Sequence, residues 1–141
     1  MSRGFLVVDT DVASLSIKRQ LPPTLLAQLS NAEVCITFVT LGELTKWARF
    51  RQFGRRSQAE LDDWLQDKPL LPYDKRVATV WGELQADGMR RGRTRPVNDS
   101  WVAACCLVKG LPLATRNVKD YVDFARHDGL TLVTEQVADL N

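Results

Sequence analysis

Short, continuous apolar runs alternate along this chain with longer segments in which apolar residues recur at helical spacing. The runs are residues 5–8, 34–37, 111–115 and 130–133, with a brief extended piece at 69–72. Runs without polar interruption are typical of strands buried on both faces of a sheet. The helical segments are residues 12–17, 24–29, 40 towards 54, 57 onwards, 74–89 and 98 to 110. This alternation predicts an α/β fold whose central sheet has four to five strands and is mainly parallel.

The chain has 141 residues, and we expect residues 1–141 to form one domain. No apolar run approaches the roughly 20 residues of a membrane span, and the first residues lead straight into a strand without a signal peptide, so we expect a cytoplasmic protein. Cys35, Cys105 and Cys106 lie in apolar segments, which predicts reduced core residues. His127, the one histidine, stands in a polar stretch that resembles a surface turn, which disfavours a histidine-based zinc site.

The net charge of +2 is small, but the basic residues are unevenly distributed. Five of them and no acid lie between positions 44 and 59: Lys46, Arg49, Arg51, Arg55 and Arg56. A second cluster follows later in the chain: Arg90, Arg91, Arg93 and Arg95. Each cluster is either a solvated helix end, where cations complement the helix dipole, or a surface that attracts phosphates or an acidic partner.

Three acids occupy related positions relative to the predicted strands. Asp9 follows the first strand, Glu43 lies in the first helical turn after the second, and Asp99 opens the helix before the fourth. Right-handed crossovers in a parallel sheet place these junctions along one edge, so the three carboxylates should converge. A purely structural role is the alternative, because Asp9 can cap the next helix and Thr40 with Glu43 can form a capping box.

Converging carboxylates repel one another unless protons or cations neutralise them. Oxygen ligands without histidine or cysteine favour Mg²⁺ or Mn²⁺, which keep water ligands and interact with substrate phosphates. Such an ion can activate water and stabilise charge on a phosphodiester oxygen. Acids of this kind beside basic surface therefore predict a metal-dependent nuclease.

Four ordered motifs resemble those of the PIN-domain ribonucleases, and within them the VapC-type toxins of bacterial toxin-antitoxin pairs. They are Val-Asp-Thr-Asp at 8–11, Thr-Leu-Gly-Glu-Leu at 40–44, Asn-Asp-Ser-Trp-Val-Ala-Ala at 98–104 and Leu-Ala-Thr-Arg-Asn at 113–117. The resemblance implies a PIN-like, Rossmann-like three-layer sandwich with helices on both sides of the sheet, and an Mg²⁺- or Mn²⁺-dependent endoribonuclease. It also implies RNA as substrate, a small VapB-like antitoxin that covers the site, and a homodimer or a hetero-oligomer with the antitoxin.

The resemblance also assigns roles to individual residues. Asp9, Glu43 and Asp99 are the implied carboxylates of the catalytic site, with Asp9 and Asp99 as metal ligands. The implied substrate-site residues are Thr10 and Thr115 as hydroxyl supports, Arg116 as a neutraliser of phosphate, and Asp120. Where the family often has a fourth acid, this chain has Asn117, a neutral oxygen ligand that can still hold a water. Asp120 can substitute for that acid if its segment forms a helical turn, and we expect one tightly bound ion.

Other functions remain open at this point. Asp9-Thr10-Asp11 also resembles the nucleophile motif of haloacid-dehalogenase-like phosphatases, although Ala13 stands where that motif usually has Thr or Val. A receiver-like signalling module would also place an acidic pair after its first strand, and a PIN fold can bind RNA or a partner without cutting. The chain carries neither an RNA-recognition motif nor a base-stacking platform, so the RNA target is not specified.

Overall fold

The computed structural model describes residues 3–135, in which strands and helices alternate. The strands are β1 (Phe5–Val8), β2 (Glu33–Thr37), β3 (Leu70–Leu71), β4 (Leu113–Ala114) and β5 (Leu132–Val133). The helices are α1 (Thr10–Ile17), α2 (Pro23–Ser30), α3 (Phe38–Phe50), α4 (Arg55–Gln66), α5 (Lys75–Arg90), α6 (Val97–Lys109) and α7 (Val118–Asp128).

The five strands form one sheet in the order β3-β2-β1-β4-β5, and every pair is parallel. This confirms the predicted mainly parallel sheet of four to five strands. The strand β1 lies at the centre, with Leu6 opposite Val34 on one side and Val8 opposite Ala114 on the other. Because all strands run the same way, the loops that follow them gather at a single edge.

Successive residues of β1 point to opposite faces of the sheet and enter two separate cores. Val7 belongs to one core with residues of α5, α6 and α7, whereas Leu6 and Val8 belong to the other with residues of α1, α2, α3 and α4. Both faces of the strand are therefore buried, which explains its unbroken apolar sequence. Helices cover both sides of the sheet, which confirms the predicted three-layer sandwich.

Two predicted helix starts are wrong. The helix α3 begins at Phe38, and the hydroxyl of Thr37 accepts from the backbone N–H of Thr40 at 3.3 Å. Thr40 is therefore inside the helix, the capping box with Glu43 does not form, and Glu43 lies in the second helical turn rather than the first. Likewise α4 begins at Arg55 after Gly54, so Ser57 does not cap it. In both cases the helix begins earlier than the polar residue that suggested its start.

The helix α7 was not predicted from the sequence beyond a conditional helical turn at Asp120. It spans Val118–Asp128, so Asp120 lies in its first turn and His127 in its last turn rather than in a surface turn. His127 is exposed, as expected. The buried face of α7 consists of few positions, Tyr121 and Phe124 among them, and the remainder is mostly polar. The apolar residues of this segment nevertheless recur at helical spacing, at positions 118, 121, 122 and 125, so the sequence did contain the pattern of an amphipathic helix.

The three cysteines are free and buried, as predicted. Burial raises the pKa of Cys35 and of Cys105 to about 11, because a thiolate is poorly solvated in the core. These thiols therefore stay protonated at neutral pH and act as small apolar groups. Among residues 3–135, no helix combines the length and the hydropathy needed to cross a membrane.

The second basic cluster divides between a helix end and a buried ion-pair network. Arg90 lies exposed in the last turn of α5, as the solvated-helix-end interpretation predicted. Arg95 is 3% exposed, and its guanidinium donates to Asp123 at 2.8 Å and to Asp128 at 2.7 Å. Arg91 also donates to Asp123, at 3.2 Å. For Arg91 and Arg95 the sequence did not predict these ion pairs, because the acidic partners lie on α7, about 30 positions later in the chain, and only the fold brings them together.

Candidate active site

A cleft of about 400 Å³ opens at the carboxyl edge of the sheet. Its walls are contributed by the end of β1 and the start of α1, by α3, by the start of α6 and by the start of α7. The lining residues are Asp9, Thr10, Asp11, Ser14, Glu43, Leu44, Lys46, Trp47, Asn98, Asp99, Val102, Asn117 and Tyr121. The structure thus brings Asp9, Glu43 and Asp99 together around one space, where the topology of a parallel sheet led us to expect them.

Asp9 is the most buried of these acids, with 4% of its surface exposed. One carboxylate oxygen accepts from the backbone N–H of Val12 at 3.0 Å and caps α1, and the other accepts from the hydroxyl of Thr115 at 2.5 Å. Burial raises the pKa of Asp9 to about 6, more than these two hydrogen bonds lower it, and the charges of Asp11 and Asp99 add to the rise. Asp9 therefore both caps a helix and presents a poorly solvated charge to the cleft.

Glu43 reaches the cleft from α3. Its Oε1 accepts from the hydroxyl of Thr10, the first residue of α1, at 2.5 Å. The Thr10 hydroxyl also lies 3.3 Å from that of Thr40, which is fully buried within α3. Thr10 therefore connects α1 to α3 and orients Glu43. Thr115 has the same relationship to Asp9, and the support role that the family resemblance assigned to both hydroxyls stays a prediction.

Asp99 lies in the first turn of α6 and is half-buried. Its Oδ1 accepts from the hydroxyl of Tyr121 at 3.1 Å. Burial is the largest cause of a raised pKa for Asp99, and the negative charges of Asp120 and Glu43 raise it further. Tyr121 itself is 2% exposed, and burial holds its pKa well above the ordinary range, so the phenol remains a donor.

The remaining predicted residues differ in their relation to the cleft. Asn117 lines it, and its backbone N–H donates to the Thr115 hydroxyl at 2.9 Å. Asp120 is outside the lining but close enough for its charge to raise the pKa of Asp99. Arg116 does not line the cleft: it pairs with Glu135 at 3.1 Å beside a separate depression. Its position therefore does not support the phosphate-neutralising role expected for it.

Some lining residues were not assigned to the site by sequence reasoning, and three of these carry a charge or a hydroxyl that bears on its chemistry: Asp11, Lys46 and Tyr121. Asp11 is two residues after Asp9. Tyr121 is four residues after Asn117, and had helix α7 been predicted, this spacing would have placed Tyr121 on the same side of the helix as Asn117. Lys46 was recognised only as part of a basic cluster, yet it lies one turn after Glu43 on the same helix and is the one basic side chain lining the cleft within residues 3–135. In that range Lys46 has no ion-pair partner.

The donors around the cleft suit a hard cation. They are the carboxylates of Asp9, Asp11, Glu43 and Asp99 and the side-chain amide of Asn117. Among residues 3–135, no group of three or more His, Cys, Asp or Glu side chains is arranged to hold a metal ion by itself. Mg²⁺ is commonly bound through one or two carboxylates with several retained waters, and an oxygen-lined cleft of this volume fits that mode of binding.

A profile of the PIN domain family matches residues 6–130, which include the whole cleft. A solved structure, DNA-bound VapBC from Salmonella typhimurium, superimposes with a TM-score of 0.80 at 23% identity, covering 96% of this chain and 100% of that one. The fold described above is therefore also found in that assembly.

Two curated relatives align over most of their length. Ribonuclease VapC5 of Mycobacterium tuberculosis is 31% identical over 131 residues, covering 90% of each chain. The tRNA(fMet)-specific endonuclease VapC of Shigella flexneri is 28% identical over 117 residues, covering 82% of this chain and 88% of the relative. Family profile, fold and relatives agree, and the chain belongs to the PIN-domain family and, within it, to the VapC proteins.

Proposed function

We propose that this chain is a metal-dependent endoribonuclease that acts as the toxin of a toxin-antitoxin pair. The observation that carries the proposal is the meeting of Asp9, Glu43 and Asp99 around one cleft at the carboxyl edge of the sheet. Curated relatives of the chain are named ribonucleases or endonucleases. The phosphatase and receiver alternatives are not favoured, because the PIN domain profile spans residues 6–130.

In the proposed mechanism, Asp9 and Asp99 hold one Mg²⁺ or Mn²⁺ ion. A cation bound there supplies an activated water and offsets negative charge on the phosphodiester oxygens. Burial and nearby negative charges raise the pKa of both acids, so holding them ionised is costly, and a divalent cation would offset that cost. A bound divalent cation would therefore stabilise the ionised form of both acids, and both acids would hold the cation. In the metal-free protein at neutral pH, nothing offsets the negative charge of these acids in this way.

Other residues of the cleft act on water and substrate. Glu43 takes a proton from the attacking water, since Thr10 already holds one of its oxygens and fixes the side chain. Asn117 orients the water through its amide. Lys46 contacts a substrate phosphate next to the reacting one, because it places an unpaired cation at the rim of an acidic cleft that must admit a polyanion.

The proposed partner is a small VapB-like antitoxin that covers the cleft. The matching Salmonella typhimurium structure is a VapBC assembly bound to DNA. Homodimerisation is also part of the proposal. The exposed apolar side chains of Tyr73 and Val97 lie near the ring cluster formed by Phe38, Trp81 and Trp101, and such surfaces are common at protein contacts. Light scattering on the purified chain, alone and with its antitoxin, would determine both assemblies.

The test of the activity is cleavage of total RNA and of purified initiator tRNA, the named substrate of the Shigella flexneri relative. Parent protein is assayed with EDTA, Mg²⁺ or Mn²⁺ beside Asp99→Asn. The matched control is Asp62→Asn, which alters an exposed carboxylate on α4 that does not line the cleft. We expect cutting by parent and control only with metal, and none by Asp99→Asn. Equal, metal-independent cutting by all three proteins would refute the proposal.

A further inference from the structure

Each of the three central acids accepts a hydrogen bond from a hydroxyl on a different element. Thr115, after β4, donates to Asp9, and Thr10, at the start of α1, donates to Glu43. The third donor is Tyr121 of α7, whose hydroxyl lies 3.1 Å from Oδ1 of Asp99. The two threonines stand inside or beside the recognised motifs, whereas Tyr121 lies outside all four of them.

The position of Tyr121 is fixed by contacts elsewhere on its helix. Two residues after it, Asp123 is held by the buried Arg95, and Asp128 at the end of α7 is held by the same guanidinium. Arg95 also lies over the ring of Phe124, 4.3 Å from its centroid. A salt-bridged and packed helix of this kind has little freedom to rotate, so the phenol is presented to α6 at a defined place.

The phenol hydroxyl constrains Asp99 because its only recorded acceptor within residues 3–135 is Oδ1 of that residue. Turning the Asp99 carboxylate away would leave a buried hydrogen-bond donor without a partner, which is unfavourable. Oδ2 of Asp99 accepts no recorded hydrogen bond in the same range. One oxygen is thus engaged by the protein, and the other remains available at the cleft.

From this geometry we infer that Tyr121 is a positioning residue, which orients Asp99 so that Oδ2 is presented to a divalent cation in the cleft. The inference rests on the proposed metal-dependent function. It gives helix α7 a part in cation binding, because Tyr121 would orient a metal ligand without coordinating the cation itself. Donors that hold a ligating carboxylate commonly change metal affinity by about 10- to 100-fold when they are removed.

The chain provides its own control, because it contains two tyrosines. Tyr121→Phe removes the hydroxyl that reaches Asp99 and keeps the buried ring against Phe124. Tyr73→Phe removes a hydroxyl from a residue that is 70% exposed and does not line the cleft. The measurements are Mn²⁺ binding by calorimetry, the rise in unfolding temperature with Mn²⁺, and RNA cleavage as a function of Mn²⁺ concentration.

We expect Tyr121→Phe to bind Mn²⁺ roughly 10-fold more weakly than the parent, with cleavage largely restored at high Mn²⁺. Tyr73→Phe should bind Mn²⁺ with the affinity of the parent, because it changes neither Asp99 nor the hydroxyl that donates to it. A Tyr121→Phe protein with a lower unfolding temperature in EDTA but unchanged Mn²⁺ affinity would show a structural role only and overturn the inference. Tighter Mn²⁺ binding would also overturn it, since the hydroxyl would then be withdrawing charge rather than orienting the carboxylate.

The binding measurements separate this inference from the proposed activity. If the parent binds Mn²⁺ but cuts no RNA, the proposed function fails, while the comparison of Mn²⁺ affinities still decides the role of Tyr121. If the parent binds no Mn²⁺ at millimolar concentration, both fail, because no cation is present for Asp99 to be oriented towards.

Discussion

The hydroxyl of Thr115 donates to a carboxylate oxygen of Asp9 at 2.5 Å, joining two residues that are 106 positions apart in the sequence. Both are buried, and they follow the adjacent strands β4 and β1. The same hydroxyl accepts from the backbone N–H of Asn117, so one side chain connects two residues of the cleft. A hydrogen bond to the charged form of an acid favours ionisation, and this contact therefore opposes the effect of burial on Asp9.

Removing that donor should raise the pKa of Asp9 above its value of about 6. Thr115→Val has nearly the same shape and no hydroxyl, whereas Thr115→Ser keeps the hydroxyl. We expect a higher Asp9 pKa in the valine protein and a value near the parent's in the serine protein. Carboxyl-carbon NMR titration of metal-free protein measures this, and equal Asp9 titrations in the valine and parent proteins would contradict it.

Asp9 should destabilise the metal-free fold at neutral pH. Its pKa is about 6 in the fold against an ordinary 3.8, so the folded state binds the proton more tightly. The associated stability is present below about pH 4 and is lost as the pH rises through about 6, an effect of at most about 3 kcal/mol. Asp9→Asn should therefore raise the unfolding free energy in EDTA at pH 7.5 and have little effect at pH 4.5.

Urea denaturation at both pH values tests this, with Asp62→Asn as a matched exposed control. The unfolding free energy of the Asp62→Asn control should depend on pH in the same way as that of the parent. Should Asp9→Asn instead lower stability at pH 7.5, the loss of the hydrogen bond from the Thr115 hydroxyl, which an amide nitrogen cannot accept, would outweigh the relief of a buried charge.

Gly88 and Gly82 lie on the same helix and should respond oppositely to alanine. A Cβ at Gly88 would lie 2.7 Å from the backbone oxygen of Arg93 and 2.9 Å from the Arg95 side chain, whereas nothing lies within 4 Å at Gly82. Gly88→Ala should cost about 1–3 kcal/mol through overpacking. Gly82→Ala should stabilise by up to about 1 kcal/mol through helix propensity. The unfolding temperatures of both variants test this prediction, and equal changes in unfolding temperature relative to the parent would contradict it.

Replacing Arg95 by leucine should destabilise the fold by about 3–5 kcal/mol at neutral pH, because Asp123 and Asp128 lose a buried partner. Although burial opposes it, the hydrogen bond and charge of Arg95 hold the pKa of Asp123 below its usual range. The stability gained from that ionised acid is present at neutral pH and is lost as the pH falls through the lowered pKa. The difference in unfolding free energy between Arg95→Leu and the parent, measured by urea denaturation, should therefore become smaller at acidic pH.

Lys46→Gln should weaken RNA binding more than it slows cleavage. We expect a several-fold higher KM, a kcat within about twofold of the parent, and a shallower dependence of binding on salt, because one phosphate contact is lost. Lys75→Gln, which removes an exposed lysine outside the cleft, is the matched control. Steady-state kinetics at two salt concentrations measures the effect. A large loss of kcat with unchanged KM would place Lys46 at the reacting atoms instead.

The layered fold could be predicted from the amino-acid sequence, because short apolar runs alternate with longer segments of helical spacing, and that alternation is typical of a parallel sheet covered by helices. The sequence also determined where Asp9, Glu43 and Asp99 meet, since parallel strands with right-handed crossovers gather their following residues at one edge. Both conclusions depend on local pattern and general topology, which leave few alternatives.

The partners of individual side chains became known only from the folded chain. Tyr121 donates to Asp99, Arg95 is buried against Asp123 rather than exposed to phosphate, and Arg116 pairs with Glu135 outside the cleft. The first two contacts join residues more than 20 positions apart in the sequence. All three contacts depend on how α7 and its flanking loops pack. The helical spacing of apolar residues in α7 could have predicted the helix itself. Its distant contacts could not be derived in the same way, because they depend on how the helix packs in the folded chain.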